Sequence, residues 1–331
     1  MRVEFSSPSN IAIVKYWGKH GVQLPNNPSI SLTLSRCRTT TSIEFSPSSF
    51  LTTSFLFEGK DNEAFKAKID KFLMSIAMDL PFLQRLHLKI ESSNSFPHSS
   101  GIASSASSMS ALVLCLMDIE RMFLGIARIS LERASYFSRL ASGSACRSLF
   151  PGAALWGETS AFGGSSDSFA VGLDDILHPV FSTFHDTILI VSSKEKSVSS
   201  RAGHALMDTH PEAAQRYEQA RRHTEELLRI LQDGDLDAFI TMAEEEALML
   251  HHLMETSNPP YRLIEDNTLQ IIAAIRRFRN ETKIPVGFTL DAGPNVHCLF
   301  PEEYSTQVNE LITNELAQYC HENRYISDHV G

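Results

Sequence analysis

Phe96-Pro-His-Ser-Ser-Gly-Ile-Ala-Ser-Ser-Ala-Ser-Ser108 runs directly into an apolar stretch, Met109 to Phe123, long enough for a buried helix. Small residues let a ligand approach the backbone. A helix start presents unpaired N–H groups and the positive end of the dipole, and the two together suit phosphate. Hydroxyls such as those of Ser104 and Ser105 could add donors to phosphate oxygens or hold a metal. No Gly-Lys-Ser/Thr follows, so the segment is not a Walker loop. Taken by itself it fits a Ser-capped helix after a loop equally well.

Outward from this stretch, strands and helices alternate. Ile11 to Trp17 is a β-type run, Ser31 to Phe45 alternates like two strands broken near Arg36 to Arg38, and Leu86 to Ile90 is a short strand. Ala153 to Trp156, Asp167 to Val171 and Asp186 to Val191 are further strands. Beyond Pro211 the texture becomes helical: Ala213 to Leu231 and Leu236 to Met254 are separated by Asp233-Gly234-Asp235, and Pro259-Pro260 opens a third helix reaching about Asn280. Two strands, Val286 to Leu290 and Val296 to Phe300, flank Asp291-Ala-Gly-Pro-Asn295, and a last helix covers Glu303 to Tyr319. The pattern predicts an α+β fold in two lobes, residues 1–184 and 185–331.

Composition narrows the function. The 331 residues carry 29 Lys plus Arg against 39 Asp plus Glu, a formal charge of −10, which argues against a general nucleic-acid or anionic-membrane binder. No apolar run approaches the roughly 20 residues that span a bilayer, and the N-terminus lacks the apolar core of a secretory signal. Five scattered cysteines argue against a disulfide scaffold or zinc ribbon and point to a reducing cytoplasm. The histidines show no metal-ligand spacing, and His251-His252 sits on a helix where neighbours diverge. An acidic chain can still bind an anionic metabolite through a local cluster of cations and backbone amides.

Four segments could supply that cluster. In Asn10-Ile-Ala-Ile-Val-Lys-Tyr-Trp-Gly-Lys19, a strand would place Lys15 on the face of Ile11 and Ile13, where its ammonium must reach either solvent or an anion. Gly18 permits a turn bringing Lys19 back beside Tyr16. Ser142-Gly-Ser-Ala-Cys-Arg-Ser148 is a small-residue turn ending in a guanidinium, whose planar fork suits carboxylate or phosphate, although it could equally pair with a surface acid. Cys146 has no base beside it in sequence and reads as packing. Ser199-Ser-Arg-Ala-Gly-His204 follows Lys194 and Lys196, gathering hydroxyls and cations where a solvated helix cap is the plainer reading. Asp291 is either a turn residue or a carboxylate presented at a cleft.

Together these segments resemble the diphosphomevalonate decarboxylase family, within the superfamily of galactokinase, homoserine kinase, mevalonate kinase and phosphomevalonate kinase. The residues that carry the resemblance are NIAIVKYWGK (Asn10 to Lys19), NSFPHSSGIASSAS (Asn94 to Ser107), SGSACRSL (Ser142 to Leu149), SSRAGH (Ser199 to His204) and DAGPN (Asp291 to Asn295), in the family's order. Pro-x-x-x-Gly-x-x-Ser-Ser is common to the superfamily, whereas KYWGK, SGSACRS and DAGPN together mark the decarboxylase branch. The chain departs from the pattern at His204, where Met is usual, and in His98 and the additional serines of the loop.

The resemblance implies an N-terminal lobe like ribosomal protein S5 domain 2, a ferredoxin-like C-terminal lobe, and a site between them. It implies ATP and Mg²⁺ as cofactors and conversion of mevalonate 5-diphosphate to isopentenyl diphosphate, carbon dioxide, ADP and phosphate. The alternatives within the superfamily are a phosphomevalonate decarboxylase or a mevalonate 3-kinase. Asp291 is expected to orient or deprotonate the 3-hydroxyl, Lys15 to hold Asp291 ionised, and Arg147 to grip the substrate carboxylate. Tyr16, Trp17, Gly18 and Lys19 are expected to bind substrate, as are Ser142, Gly143, Ser144, Ala145 and Cys146, with Ser200 and Arg201 on its diphosphate. Asn94, Ser99, Ser100, Gly101 and Ala103, continuing into Ser104, Ser105 and Ser107, are expected to bind ATP, with Ser104 and Ser105 near Mg²⁺. A cytoplasmic homodimer is the family expectation.

Overall fold

The computed structural model describes residues 1–97, 102, 104–194 and 197–331. Its first sheet is organised on one long strand. β1 (Arg2–Ala12) is followed by the two-residue strands β2 (Lys19–His20) and β3 (Leu24–Pro25), then by β4 (Ser29–Pro47), β5 (Thr52–Phe57) and β6 (Lys60–Asp61). After helix α1 (Glu63–Ile76) come β7 (Leu86–Asn94), helices α2 (Ser104–Leu124) and α3 (Leu131–Ala141), and strands β8 (Ala153–Trp156) and β9 (Ala170–Gly172). The strand order is β6-β5-β7-β4-β8-β9, with β1 also paired to β4.

Where two strands broken near Arg36 to Arg38 were expected, β4 is one strand of 19 residues carrying a bulge. Pro8 pairs with Arg38 but Asn10 with Thr33, so residues 34–37 have no partner on β1. Backbone N–H groups left over by a bulge need acceptors. Asp328, near the end of the chain, supplies them: its carboxylate accepts from Ser35 at 3.1 Å, Arg36 at 2.8 Å and Cys37 at 2.6 Å. The N–H of Gly331 donates to the Thr33 carbonyl, and that of Gly152 to the Gly331 carbonyl.

Apolar side chains of α1 and α2, among them Leu73, Leu112 and Leu116, pack on Ile43 and Ile90 of the sheet. α2 begins at Ser104, earlier than the apolar run alone predicts. Its serines tolerate the helix because their hydroxyls bond back along it, Ser107 to Ser104 O and Ser110 to Ala106 O. The run expected as a strand over Asp167 to Val171 contracts to β9.

The second sheet belongs to the C-terminal half. α4 (Pro179–Ser182) leads to β10 (His185–Leu189), α5 (Ser200–Leu206), α6 (Ala213–Asp233), α7 (Leu236–Glu255), α8 (Asp266–Thr282), β11 (Gly287–Leu290), β12 (Val296–Phe300), α9 (Ser305–Leu311) and β13 (Tyr325–His329). The order β11-β12-β10-β13 is antiparallel throughout. Gly234 in the left-handed conformation ends α6, and the Asp235 side chain caps α7. α8 starts at Asp266 rather than at Pro259-Pro260, because Glu265 and Thr268 form a capping box there. The last helix is interrupted: α9 passes into a π turn over Ile312–Leu316 and a 3₁₀ turn over Ala317–Tyr319. Ile11, Ile30 and Leu155 of the first sheet share a core with Leu227 of α6 and Phe239 of α7, which joins the two halves.

Candidate active site

Between the halves lies a cavity of about 630 Å³ whose described lining carries five cations, Lys15, Lys19, Lys68, Arg147 and Arg201, and one carboxylate, Asp291. In a chain of net charge −10, this concentration of unopposed positive charge marks a polyanion site.

The strand expected over Ile11 to Trp17 ends at Ala12, and Lys15 lies on an irregular segment instead. Its ammonium therefore does not share a face with Ile11. It donates to the Ala12 carbonyl and lies 3.5 Å from Asp291 Oδ1. The lysine is 2% exposed and the Asp291 side chain 27%, so a ligand in the cavity meets the carboxylate while the ammonium stands behind it. Burial pulls the Lys15 pKa below the lysine range, opposed by the charges of Asp291 and then Glu246. Asp291 opens the turn after β11, and its carbonyl accepts from His251 Nε2 on α7 at 3.0 Å.

Arg147 is fixed from three sides. Its guanidinium donates to Ser29 Oγ and, at 3.3 and 3.4 Å, to Asn10 Oδ1, and lies 6.0 Å from the Trp156 ring centre. The Asn10 amide in turn donates to Ser148 Oγ at 2.7 Å and the Ser144 carbonyl at 3.3 Å. The residues Gly143–Leu149 form a 3₁₀ turn that divides its side chains: Gly143 and Ser144 line the cavity with the preceding Ser142, whereas Ala145 and Cys146 are wholly buried in apolar clusters. Ala145 and Cys146 thus build the floor and do not line the cavity. The Cys146 thiol is pushed up to about 12 by burial, which removes it as a nucleophile.

Lys19 and Lys68 both have pKa values lowered by burial and by the charge of Arg201, so the three cations converge. Lys68 on α1 went unnoticed in the sequence because nothing in its neighbourhood resembles a motif. Only the packing of α1 on β5 and α3, across the smaller cavity from α2, brings it to the large cavity. His204 closes this end. Its ring centre lies 4.4 Å from that of Tyr16 and 4.6 Å from that of Trp17, and burial lowers its pKa to about 3. Nδ1 accepts the Gly18 N–H at 2.9 Å, so the neutral ring carries its hydrogen on Nε2. Gly18 supports this geometry from behind without lining the cavity, with φ +92° and a virtual Cβ 2.1 Å from the Tyr217 hydroxyl oxygen. The Tyr16 hydroxyl is buried and has no hydrogen-bond partner among the described residues.

A second cavity, about 230 Å³, adjoins the first and shares Lys68, Ser104 and Ser105 with it. Phe55, Phe57 and Phe65 give it apolar walls, and Asn94 lines it with an Nδ2 that is buried and unpartnered among the described residues. Ser108 reaches this cavity, whereas Ser107, expected there, does not: its hydroxyl is fully buried against Thr39 Oγ1, tying α2 to the sheet. Ser99, Ser100, Gly101 and Ala103 lie outside the described residues.

A cation-lined cleft beside an apolar pocket, on this α+β frame, has the form of an enzyme that brings a nucleotide to a small polyanionic substrate. Comparison with known proteins narrows it further. Residues 7–170 match the diphosphomevalonate decarboxylase-like N-terminal domain, and residues 187–330 the mevalonate 5-diphosphate decarboxylase C-terminal domain. The diphosphomevalonate decarboxylase of Ganoderma lucidum is 31% identical over 95% of this chain and 82% of its own. The crystal structure of mevalonate diphosphate decarboxylase from Staphylococcus aureus superposes with a TM-score of 0.86 at 27% identity, covering 100% of this chain and 96% of that one. The protein designated MDDEF, solved in complex with MVAPP, AMPPCP and magnesium, does so with a TM-score of 0.85 at 27% identity, covering 100% and 97%. The chain belongs to the diphosphomevalonate decarboxylase family.

Proposed function

We propose that the protein catalyses ATP-dependent decarboxylation of mevalonate 5-diphosphate to isopentenyl diphosphate, with ADP, phosphate and CO₂ as the other products. The observation that carries this reading is the Lys15–Asp291 pair, in a cavity whose other charged lining residues, among those described, are all cationic. A tertiary hydroxyl is a poor leaving group until it is phosphorylated. Asp291 orients that hydroxyl and takes its proton as the O–P bond forms. Lys15 stands beside the carboxylate and offsets the charge that develops on phosphoryl oxygens. Departure of the 3-phosphate then draws the C–C bonding electrons of the departing CO₂ into the new double bond. Arg147, held by Ser29 and Asn10, grips the substrate carboxylate until it leaves.

Lys19, Arg201, Ser200 and the Tyr16 hydroxyl, unpartnered among the described residues, suit the 5-diphosphate, and the two cations together support a diphosphate over a monophosphate. ATP places its base in the smaller cavity near Asn94 and its phosphates toward Lys68 and the α2 N-terminus. Among the described residues no group of three His, Cys, Asp or Glu could hold a metal by itself. The Ser104 and Ser105 hydroxyls, neutral oxygen donors on the cavity wall, would help hold an Mg²⁺ ion brought in on ATP. When bound it neutralises phosphate charge.

The family resemblance also supports a cytoplasmic homodimer. No described helix is long and apolar enough to cross a membrane, and all five cysteines are free and buried, as suits a reducing compartment. A division into residues 1–184 and 185–331 agrees with the separate sheets and with family matches ending at 170 and resuming at 187. The deciding assay measures ADP and CO₂ from ATP and mevalonate 5-diphosphate. Equal yields are expected; ADP without CO₂ would make the protein a kinase, and neither product would overturn the reading.

A further inference from the structure

Lys15 has no strand to satisfy its backbone, and three side chains distant in sequence do so instead. Its N–H donates to Glu246 Oε2 at 2.8 Å, and its carbonyl accepts from Asn27 Nδ2 at 3.1 Å and from Arg216 Nη2 at 3.2 Å. Glu246 on α7 and Arg216 on α6 are both buried and form a two-pronged ion pair, Nη1 to Oε1 at 2.8 Å and Nη2 to Oε2. His223 donates its Nδ1 hydrogen to Glu246 Oε1 at 2.6 Å. Glu246 Oε2 and Arg216 Nη2 thus hold each other and the two backbone polar groups of one lysine.

A buried ion pair is seldom the most stable way to fill a core. The same space could be filled by apolar side chains, but those could not accept the Lys15 N–H. We propose that Glu246 and Arg216 are positioning residues for Lys15: they fix the irregular segment so that its ammonium faces Asp291, and Glu246 supplies the second negative charge beside that ammonium. This inference rests on the role given to Lys15 above. The charged groups facing the Lys15 ammonium are Asp291 from the turn after β11, Glu246 from α7 and Arg147 from the 3₁₀ turn; Arg216 from α6 touches the Lys15 carbonyl, and His223 from α6 lies beyond Glu246. Burial and Arg147 favour the neutral amine, whereas Asp291 and Glu246 favour the ammonium. Removal of the Glu246 charge therefore lowers the pH at which Lys15 loses its proton.

The test is Glu246→Gln, which keeps an oxygen for the Lys15 N–H but not the charge. The expected result is a fall in kcat of roughly tenfold or more, a KM for ATP within about twofold of wild type because no ATP-facing residue is disturbed, and a basic limb of the pH profile moved to lower pH. Titration of the Lys15 ¹³Cε resonance, assigned by its loss in Lys15→Arg, reads the same shift without substrate. It separates failure of this inference from failure of the proposed reaction. A folded variant with an unmoved Lys15 titration and wild-type kcat overturns the proposal. If Glu246→Gln does not fold, Glu246→Asp keeps the charge and shortens the reach. It is then expected to lose kcat with an unmoved basic limb, and wild-type turnover in it overturns the positioning role.

Discussion

The Lys15 ammonium and the Asp291 carboxylate meet at 3.5 Å across 276 residues of sequence. Each comes from a segment without regular structure, and each is held by side chains distant in sequence as well as by near neighbours. Lys15 is held through its backbone by Glu246 and Arg216, and Asp291 through its carbonyl by His251.

Asp291→Ala removes the only carboxylate among the described lining residues of the large cavity. Turnover is expected to fall by at least about 10², the scale of a positioned acid–base group. Nucleotide affinity, measured by calorimetry with a non-hydrolysable ATP analogue, is expected to hold, because Asp291 does not line the smaller cavity.

Arg147→Lys retains one charge but cannot span Ser29, Asn10 and a bound carboxylate together. Loss of a hydrogen bond to a charged group costs about 1.5–3 kcal/mol, so kcat/KM for mevalonate 5-diphosphate is expected to drop at least about tenfold. Steady-state kinetics with ATP saturating checks this.

Lys68→Ala tests the cation that both cavities share. The KM for ATP is expected to rise about tenfold, equivalent to about 1.4 kcal/mol, with a smaller change in kcat. An unchanged KM for ATP would remove Lys68 from the nucleotide site.

The buried Glu246 carboxyl sets an acid limit on stability. Burial alone would raise its pKa, but the Arg216 charge and the bonds from His223, Arg216 and the Lys15 N–H outweigh burial and hold it at about 2. A folded pKa below the unfolded one means stability present above about pH 4.5 and lost as pH falls toward about 2. The contribution is about 3 kcal/mol. Urea unfolding between pH 6 and pH 3 is expected to show a shallower loss in Glu246→Gln than in wild type.

Gly18→Ala combines backbone strain at φ +92° with a Cβ driven into the Tyr217 hydroxyl. Destabilisation of about 1–3 kcal/mol is expected from the strained backbone alone, measured by chemical denaturation. The KM for mevalonate 5-diphosphate is expected to rise with it, because the Gly18 N–H anchors His204.

The order α6, α7, α8, β11, β12 was legible because the helices are amphipathic and their caps are local, as at Gly234 and Asp235; β13, which is held by long-range pairing with β10, was not. Most charged residues of the site were legible as parts of motifs: Lys15, Lys19, Arg147, Arg201 and Asp291 all reach one cavity. What could not be read depends on long-range contact. Ile11 to Trp17 has a strand's composition, yet the strand ends at Ala12 because Glu246, Asn27 and Arg216 take the place of a neighbouring strand around Lys15. Lys68 and Glu246 lie on helices whose charges look like ordinary solvated faces in sequence. Ser107 and Cys146 sit inside motifs but face the core, since a helix and a 3₁₀ turn spread consecutive residues around an axis.

The seam at Asp328 has a mechanical consequence. Because β13 and Gly331 are stitched to the bulge of β4 and to Gly152, a wide swing of one half against the other would tear several main-chain bonds at once. Two bulky, highly charged reactants thus enter a cleft whose frame is braced from the far end of the chain.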